Sequence, residues 1–339
     1  MATIKDIARE SGLGIATISK YLNGKTVRKY NKEAIDAAIE KLGFTQMNEL
    51  ARNLKANRSR TIGAVIPDFG NGFSMSVVTA FEEAMRKSGY GVIVCDCRSN
   101  EEREREAVNF LLGKRVDGML NLPINTDGTH LLNAIRENIP VVLFDNVPNA
   151  VKDKVDAVLV DNVGGSVHAT KSLVDKGHKK IAVILGAQRN FTAQQRLLGY
   201  NQVLIQNSLM PDNSYVFYSD YTIQGGYECM RKVVENTDAT AVFITNYEMT
   251  LGAVIALNDL NIHIPDQISV VGFDYQNLSQ IIRPKLTVIS QPLEKIGHEA
   301  AVMLLEKLEN GKGGATKKII SLPTEITPGD SIASPGSKG

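Results

Sequence analysis

The stretch that decides the fold runs Thr3-Ile-Lys-Asp-Ile-Ala-Arg-Glu-Ser-Gly-Leu-Gly-Ile-Ala-Thr-Ile-Ser-Lys-Tyr-Leu-Asn-Gly24. Thr3 is a good N-cap for a helix bearing Ile4, Ile7 and Ala8, and Gly12-Leu13-Gly14 breaks that helix after about two turns. A short break containing glycine is how the two helices of a helix-turn-helix are joined. The second helix, Ile15 to Leu22, sets Ile18 and Leu22 one turn apart on an inward face and Ala16 and Lys20 one turn apart on the opposite face. Asn23-Gly24 ends it. Asn31 is placed to cap a third helix in which Ile35, Ala38, Ile39 and Leu42 follow the helical apolar spacing, and Gly43 supplies the stop. The pattern predicts three short helices around one small core, with the second helix exposed.

Charge separates this head from the rest of the chain. The 339 residues carry a net charge of only +1, but residues 1–60 hold twelve Lys/Arg against six Asp/Glu, which leaves 26 against 31 for residues 61–339. A head of +6 on a body of −5 suggests that the head alone meets a polyanion; the alternative is a merely basic patch. With 43% hydrophobic and 22% charged residues the composition is that of a globular chain, and no apolar run approaches the roughly 18 residues of a transmembrane helix. The N-terminal stretch has no apolar segment of the signal-peptide kind, so a cytoplasmic protein is expected. Cys95, Cys97 and Cys229 form no C-x-x-C pair, which argues against a disulfide framework or a zinc site, and no cofactor or metal is expected.

Thr3-Ile-Lys-Asp-Ile-Ala-Arg9, Ala16-Thr-Ile-Ser-Lys20, Leu22-Asn-Gly24 and Lys41-Leu-Gly-Phe44, in that order, resemble the start of the LacI/GalR family of bacterial transcription regulators. The resemblance implies that Ile15 and Ala16 read base edges in the major groove and that Lys20 donates to guanine, without the bidentate fork of the arginine many relatives carry. Thr17, Ser19 and Asn23 would position the head on phosphates, and Thr3 is a further DNA-binding candidate. Residues 47–60 resemble the family's hinge helix, with Arg52 and Lys55 near phosphate and Leu54 at the position that wedges into the minor groove. The alternative is a flexible linker with an exposed Leu54. Gln46 stands where relatives usually have proline.

From residue 61 the pattern changes to short β-branched runs alternating with helical stretches. Thr61 to Ile66, Gly91 to Val94, Gly118 to Leu122 and Pro140 to Phe144 read as buried parallel strands; the series restarts with Lys180 to Leu185, Tyr215 to Tyr218, Ala241 to Ile244 and Ile268 to Phe273. The expected fold is an all-α helix-turn-helix head followed by a two-lobed α/β core of two doubly wound parallel sheets, resembling the periplasmic-binding-protein fold. The divisions are residues 1–46 for the head and 47–60 for the hinge, then 61–159 plus about 291–320 for the first lobe. Residues 160–290 plus about 321–330 form the second lobe, and 331–339 a flexible tail without the leucine heptads of tetrameric relatives.

In such sheets ligands bind beyond the carboxyl ends of the strands. Phe73, Ser74, Asp145, Asn246 and Asp274 fall at strand ends, and Arg196 lies just inside the helix after Lys180 to Leu185. A guanidinium and a carboxylate offering paired contacts suit neighbouring hydroxyls of a sugar, with Tyr221 or Phe191 as the aromatic face. The resemblance implies that Arg196 and Asp274 hold effector hydroxyls while Thr192, Asn246 and Gln291 line the cleft. For any one carboxylate alone, a turn cap is the alternative. Tyr247 and Tyr275 replace carboxylates usual in relatives, which points to an effector larger than a simple monosaccharide, or modified.

An enzyme is the first rival reading, but there is no G-x-G-x-x-G, P-loop or H-E-x-x-H, and the five histidines lack metal-ligand spacing. A periplasmic sugar receptor is the second, and the head argues against it. Within the family, Leu278-Ser-Gln-Ile-Ile-Arg-Pro-Lys-Leu286 and Ser290-Gln-Pro-Leu293 resemble the catabolite control regulators, which respond to a phosphorylated phosphocarrier protein. The resemblance implies a repressor of carbohydrate transport or catabolism genes. Its partners would be double-stranded operator DNA, a sugar or sugar-derivative effector and a second copy of itself, with no membrane.

Overall fold

The computed structural model describes residues 2–22, 25–44, 58–124, 127–274, 283–310 and 317–336, and the chain divides into two compact units, Met1–Ser59 and Arg60–Gly339. In the first unit, α1 (Ile4–Ser11), α2 (Ile15–Leu22) and α3 (Lys29–Leu42) enclose Ile7, Ile18, Leu22, Ile35, Ala38 and Phe44. Thr3 caps α1 reciprocally: its hydroxyl accepts from the Asp6 amide at 3.3 Å, and the Asp6 carboxylate accepts from the Thr3 amide at 2.9 Å. Gly12 then takes a left-handed φ of 68°, which turns the chain toward α2 without a side-chain clash. The third helix starts earlier than Asn31. Arg28 is its extended first flank and makes no side-chain cap, and Lys29 and Tyr30 are already helical, since first-turn amides need no intrahelical acceptor.

In the second unit, β1 (Thr61–Ile66), β2 (Gly91–Asp96), β3 (Gly118–Asn121), β4 (Val141–Phe144), β5 (Asp156–Val160) and β11 (Ile319–Leu322) form one sheet in the order β11-β5-β4-β3-β1-β2. Every neighbouring pair in it is parallel. The other sheet comprises β6 (Ile181–Leu185), β7 (Val216–Tyr218), β8 (Ala241–Ile244), β9 (Ser269–Phe273), β10 (Thr287–Ser290) and β12 (Glu325–Thr327) in the order β12-β10-β9-β8-β6-β7. It is parallel except for the β10–β12 pair. Strands buried on both faces explain the continuous apolar runs, as in Ile181–Leu185, where every residue is buried.

The connecting helices are α4 (Gly72–Lys87), α5 (Glu101–Gly113), α6 (Leu132–Arg136), α7 (Asn162–Val174), α8 (Phe191–Gln206), α9 (Ile223–Asn236), α10 (Tyr247–Asp259) and α11 (Leu293–Asn310). Helix α11 packs Ile296, Ala300, Met303 and Leu304 into the first sheet's core with Phe81 and Met85 of α4. Helix α7 places Ala169 and Leu173 in the second sheet's core. The backbone therefore crosses between lobes after β5, after β10 and after β11.

Four strands escape the sequence pattern: β5, β10, β11 and β12. Strand β5 opens on a buried charge, Asp156, held by Lys307 at 3.0 Å and the Lys318 amide at 2.9 Å. Strands β11 and β12 are short and partly exposed edge strands. The expectation of a flexible tail from residue 331 is also corrected. Ser331 is fully buried; its hydroxyl donates to the Val270 carbonyl at 2.6 Å and accepts from the Thr287 amide at 2.8 Å. The Ala333 carbonyl in turn lies 2.8 Å from Nε2 of His178. Ser331 and Ala333 are thus fastened to the second sheet because their polar groups satisfy buried strand groups there.

Candidate functional site

The head presents the start of α2 outward. Ile15 and Ala16, its first two residues, are exposed, as is Lys20 one turn on, while Ile18 and Leu22 are buried, so the two predicted faces are present. Thr17 and Ser19 are half-buried, and Thr3 is exposed although its side chain is engaged in the cap. The acidic groups of α1 are tied up locally, Asp6 with Arg9 and Glu10 with Lys41, both at 2.6 Å. Lys5, Lys20, Lys25, Arg28, Lys29 and Lys32 all remain exposed, so the described surface of the head is positive. Asn23, Gln46, Arg52, Leu54 and Lys55 lie outside the described residues, as does Tyr275.

In the core unit, the strand order reverses beside β1 in one sheet and β6 in the other, and the candidate residues follow strand ends at and near these points. Arg196 on α8 is the centre of the arrangement. Only 3% exposed, its guanidinium donates through Nε to Asn162 Oδ1 at 2.8 Å and through Nη1 to the Thr245 carbonyl, and its Cζ lies 3.9 Å from the centroid of the Phe273 ring. Hydrogen bonds at two nitrogens and a ring against its plane fix the fork in one orientation.

Asp145, at the end of β4, and Asp274, at the end of β9, come from different lobes and each feels the charge of Arg196. Burial pushes the Asp145 carboxyl up to about 6, with Arg196 opposing the rise and Asp274 adding to it. Burial likewise raises Asp274, against the pull of Arg196 and a hydrogen bond from Gln291 Nε2. Asp145, Asp274 and Tyr221 all adopt left-handed backbone angles, with φ of 66°, 73° and 65°. Such angles cost on the order of 1 kcal/mol or more for a residue such as tyrosine and tend to gather at functional sites.

Tyr221 lies flat over the backbone of Gly186, where a Cβ would stand 1.8 Å from the ring. Its hydroxyl donates to Asn190 Oδ1 at 3.1 Å and lies 3.1 Å from Thr192 Oγ1. Burial pushes this phenol up to about 12, with Arg196 pulling the other way. The ring is thus locked beside Arg196 by a glycine and a polar triad.

The remaining candidates divide. Asn246 is buried but acts as the N-cap of α10, its Oδ1 accepting from the Met249 amide at 2.8 Å. Ser74 is buried in the first turn of α4, where its hydroxyl donates to the Asn71 carbonyl at 3.2 Å. Phe73 turns into the first lobe, its ring 6.2 Å from that of Phe144. Phe191 opens α8, half-buried, and Tyr247 is half-buried against the second lobe's core.

One acidic residue was missed. Glu248, in the first turn of α10, accepts from Asn246 Nδ2 at 2.5 Å and, across the lobes, from Asn71 Nδ2 at 3.0 Å. Burial raises its carboxyl, and the charge of Asp274 raises it further. The one signal in the sequence was its place two residues after a strand-end asparagine. Asn162, which orients Arg196, gave no sequence signal beyond being an N-terminal helix residue.

Known proteins resemble the chain throughout its length. Residues 3–46 match the model of bacterial regulatory proteins of the lacI family, and residues 170–332 match that of a periplasmic binding protein-like domain. Catabolite control protein A of Priestia megaterium is 31% identical over 327 residues, 96% of this chain and 97% of that one. The HTH-type transcriptional repressor PurR of Histophilus somni is 32% identical, over 92% of this chain and 94% of that one. Among solved structures, a complex of the transcriptional regulator CelR with cellobiose has a TM-score of 0.74 at 27% identity, covering 98% of this chain and 100% of that one. A lac repressor dimer bound to operator, at 24% identity, shares the fold with a TM-score of 0.85, covering 98% of this chain and 99% of that one. With the helix-turn-helix head and the two-lobed core both in place, the chain belongs to the lacI family of bacterial regulatory proteins and is a DNA-binding transcriptional regulator.

Proposed function

We propose that this regulator is a cytoplasmic, homodimeric repressor without enzymatic activity, whose hold on operator DNA is set by a hydroxylated small molecule, a sugar or sugar derivative, between the lobes. The observation that carries this reading is the Arg196 guanidinium, buried and fixed by Asn162, Thr245 and Phe273, with Asp145 and Asp274 facing it from the two lobes. A fixed fork of donors beside carboxylate acceptors matches the paired donors and acceptors of adjacent ring hydroxyls. Tyr221 supplies an aromatic face, and Thr192, Asn246 and Gln291 add polar groups around it; Phe191 opens the helix that carries Arg196, while Phe73 and Ser74 support the neighbouring first-lobe helix from within. The relative solved in complex with cellobiose supports a carbohydrate ligand.

In the head, Ile15, Ala16 and Lys20 read bases, Thr17, Ser19, Asn23, Arg52 and Lys55 hold phosphates, Leu54 enters the minor groove, and Thr3 is a further DNA contact. Support comes from the exposure of the first group on α2 and from the positive surface around it. Among the described residues, no helix is long and apolar enough to cross a membrane.

Effector binding in the cleft favours one relative arrangement of the lobes, and a different affinity of the two arrangements for effector couples the cleft to DNA. Selection from a random DNA pool gives the operator, and an anisotropy titration with and without each member of a sugar panel tests the coupling. No shift in operator affinity with any member would overturn the reading. A second reading, with a serine-phosphorylated phosphocarrier protein as the controlling partner, is favoured by the likeness to Catabolite control protein A. A pull-down with that carrier separates the two.

A further inference from the structure

The cleft carries more negative charge than the guanidinium in it can offset. Asp145 and Asp274 lie at strand ends and Glu248 in the first turn of the helix after β8, and Asp274 is close enough to each of the other two to raise its carboxyl. The cation whose charge reaches Asp145 and Asp274 is Arg196. That guanidinium already gives two of its nitrogens to Asn162 and Thr245. Residues 275–282, which continue the chain from Asp274, include no charged side chain.

Hydrogen bonding is short of donors in the same place. Gln291 is 9% exposed; its amide nitrogen faces the Asp274 carboxylate, which fixes the orientation of the amide, and its Oε1 is buried with no partner. Among the described residues, no side chain donates to Asp145. A buried acceptor without a donor, and carboxylates crowded together away from water, are both costly unless a ligand completes them.

Resting on the effector reading above, we infer that the effector is a hydroxylated molecule bearing a positive charge, an amine on a sugar frame, held by Asp145, Asp274, Glu248 and the Gln291 carbonyl oxygen, and that phosphorylated or carboxylated sugars are excluded. The ammonium supplies several donors and a compensating charge at once, whereas a neutral hydroxyl supplies a donor alone. Glu248 is the specificity-determining member. The charge of Asp274 reaches it, and the donors its oxygens receive are neutral amides, the Asn71 and Asn246 side chains and the Gly72 and Glu248 backbone.

The test is calorimetry on the full-length protein at pH 7.5 with ligands matched in frame: glucosamine, glucose, N-acetylglucosamine and glucose 6-phosphate, the galactose set, and the disaccharides cellobiose and fully deacetylated chitobiose. Each amine is expected to bind at least tenfold more tightly than its neutral partner, and the phosphate not at all. Glu248→Gln should reduce the amine preference to threefold or less, and Asp145→Asn gives an independent second measurement should Glu248→Gln fail to fold. A neutral or phosphorylated member binding as tightly as its amine would overturn the inference and leave the effector reading standing. So would an unchanged preference in both variants. Silence from every member, charged or neutral, would overturn the effector reading and this inference together.

Discussion

At the scale of single residues, the core unit's chemistry converges on a buried guanidinium and the carboxylates around it. Asp145 gives the sharpest pH signature. Its carboxyl, raised to about 6 by burial, favours the folded ligand-free protein when protonated; that contribution is complete below the ordinary carboxylate range and is lost as pH rises through about 6. Asp274 and Glu248 are raised as well and act in the same direction. Thermal melts of the ligand-free protein across pH 4.5 to 7.5 should therefore show Asp145→Asn with a weaker loss of stability toward the upper end than wild type; parallel curves would contradict the assignment. In the head, Lys20→Ala should relax base preference at one operator position by about 1–3 kcal/mol, read by competition with single-base operator variants. An equal loss of affinity for every sequence would make Lys20 a phosphate contact instead.

At the scale of elements, the sequence was most legible where periodicity and caps agreed. Both ends of α1 and α2, and the strands β1, β4, β6, β8 and β9, fall within a residue or two of expectation, because buried parallel strands and capped helices leave plain patterns. Strands β5 and β10 to β12 were hidden because their own apolar runs are short and interrupted by polar residues, and β11 pairs with β5 across a long stretch of chain. Arg196 and Asp274 were legible through their resemblance to relatives. Glu248 and Asn162 were not, since their roles depend on which residues lie opposite, Asn71 and Arg196, across long stretches of chain. The Tyr221 platform depends likewise on Gly186. Gly186→Ala places a methyl group inside the ring's position, so the ring must leave, and effector affinity by calorimetry should fall at least tenfold. Unaltered affinity would remove Tyr221 from the site.

At the scale of the whole molecule, the charge division of the sequence corresponds to two compact units, a head with an excess of cations and a core with an excess of carboxylates. The core unit extends to the chain's end region. Ser331→Ala leaves a buried strand amide without its acceptor and should lower stability by about 1–3 kcal/mol in denaturant titration, where a free tail would show no change. The central claim joins the two units: a ligand in the cleft changes the grip of the head on DNA. It is tested most directly by the operator dissociation constant measured with and without a binding sugar, in wild type and in Arg196→Lys, which keeps the charge but loses the fork. The account predicts at least a fivefold change in wild type, within the usual range of allosteric coupling, and less than twofold in the variant at the same sugar concentration. The same fold-change in both proteins would contradict it.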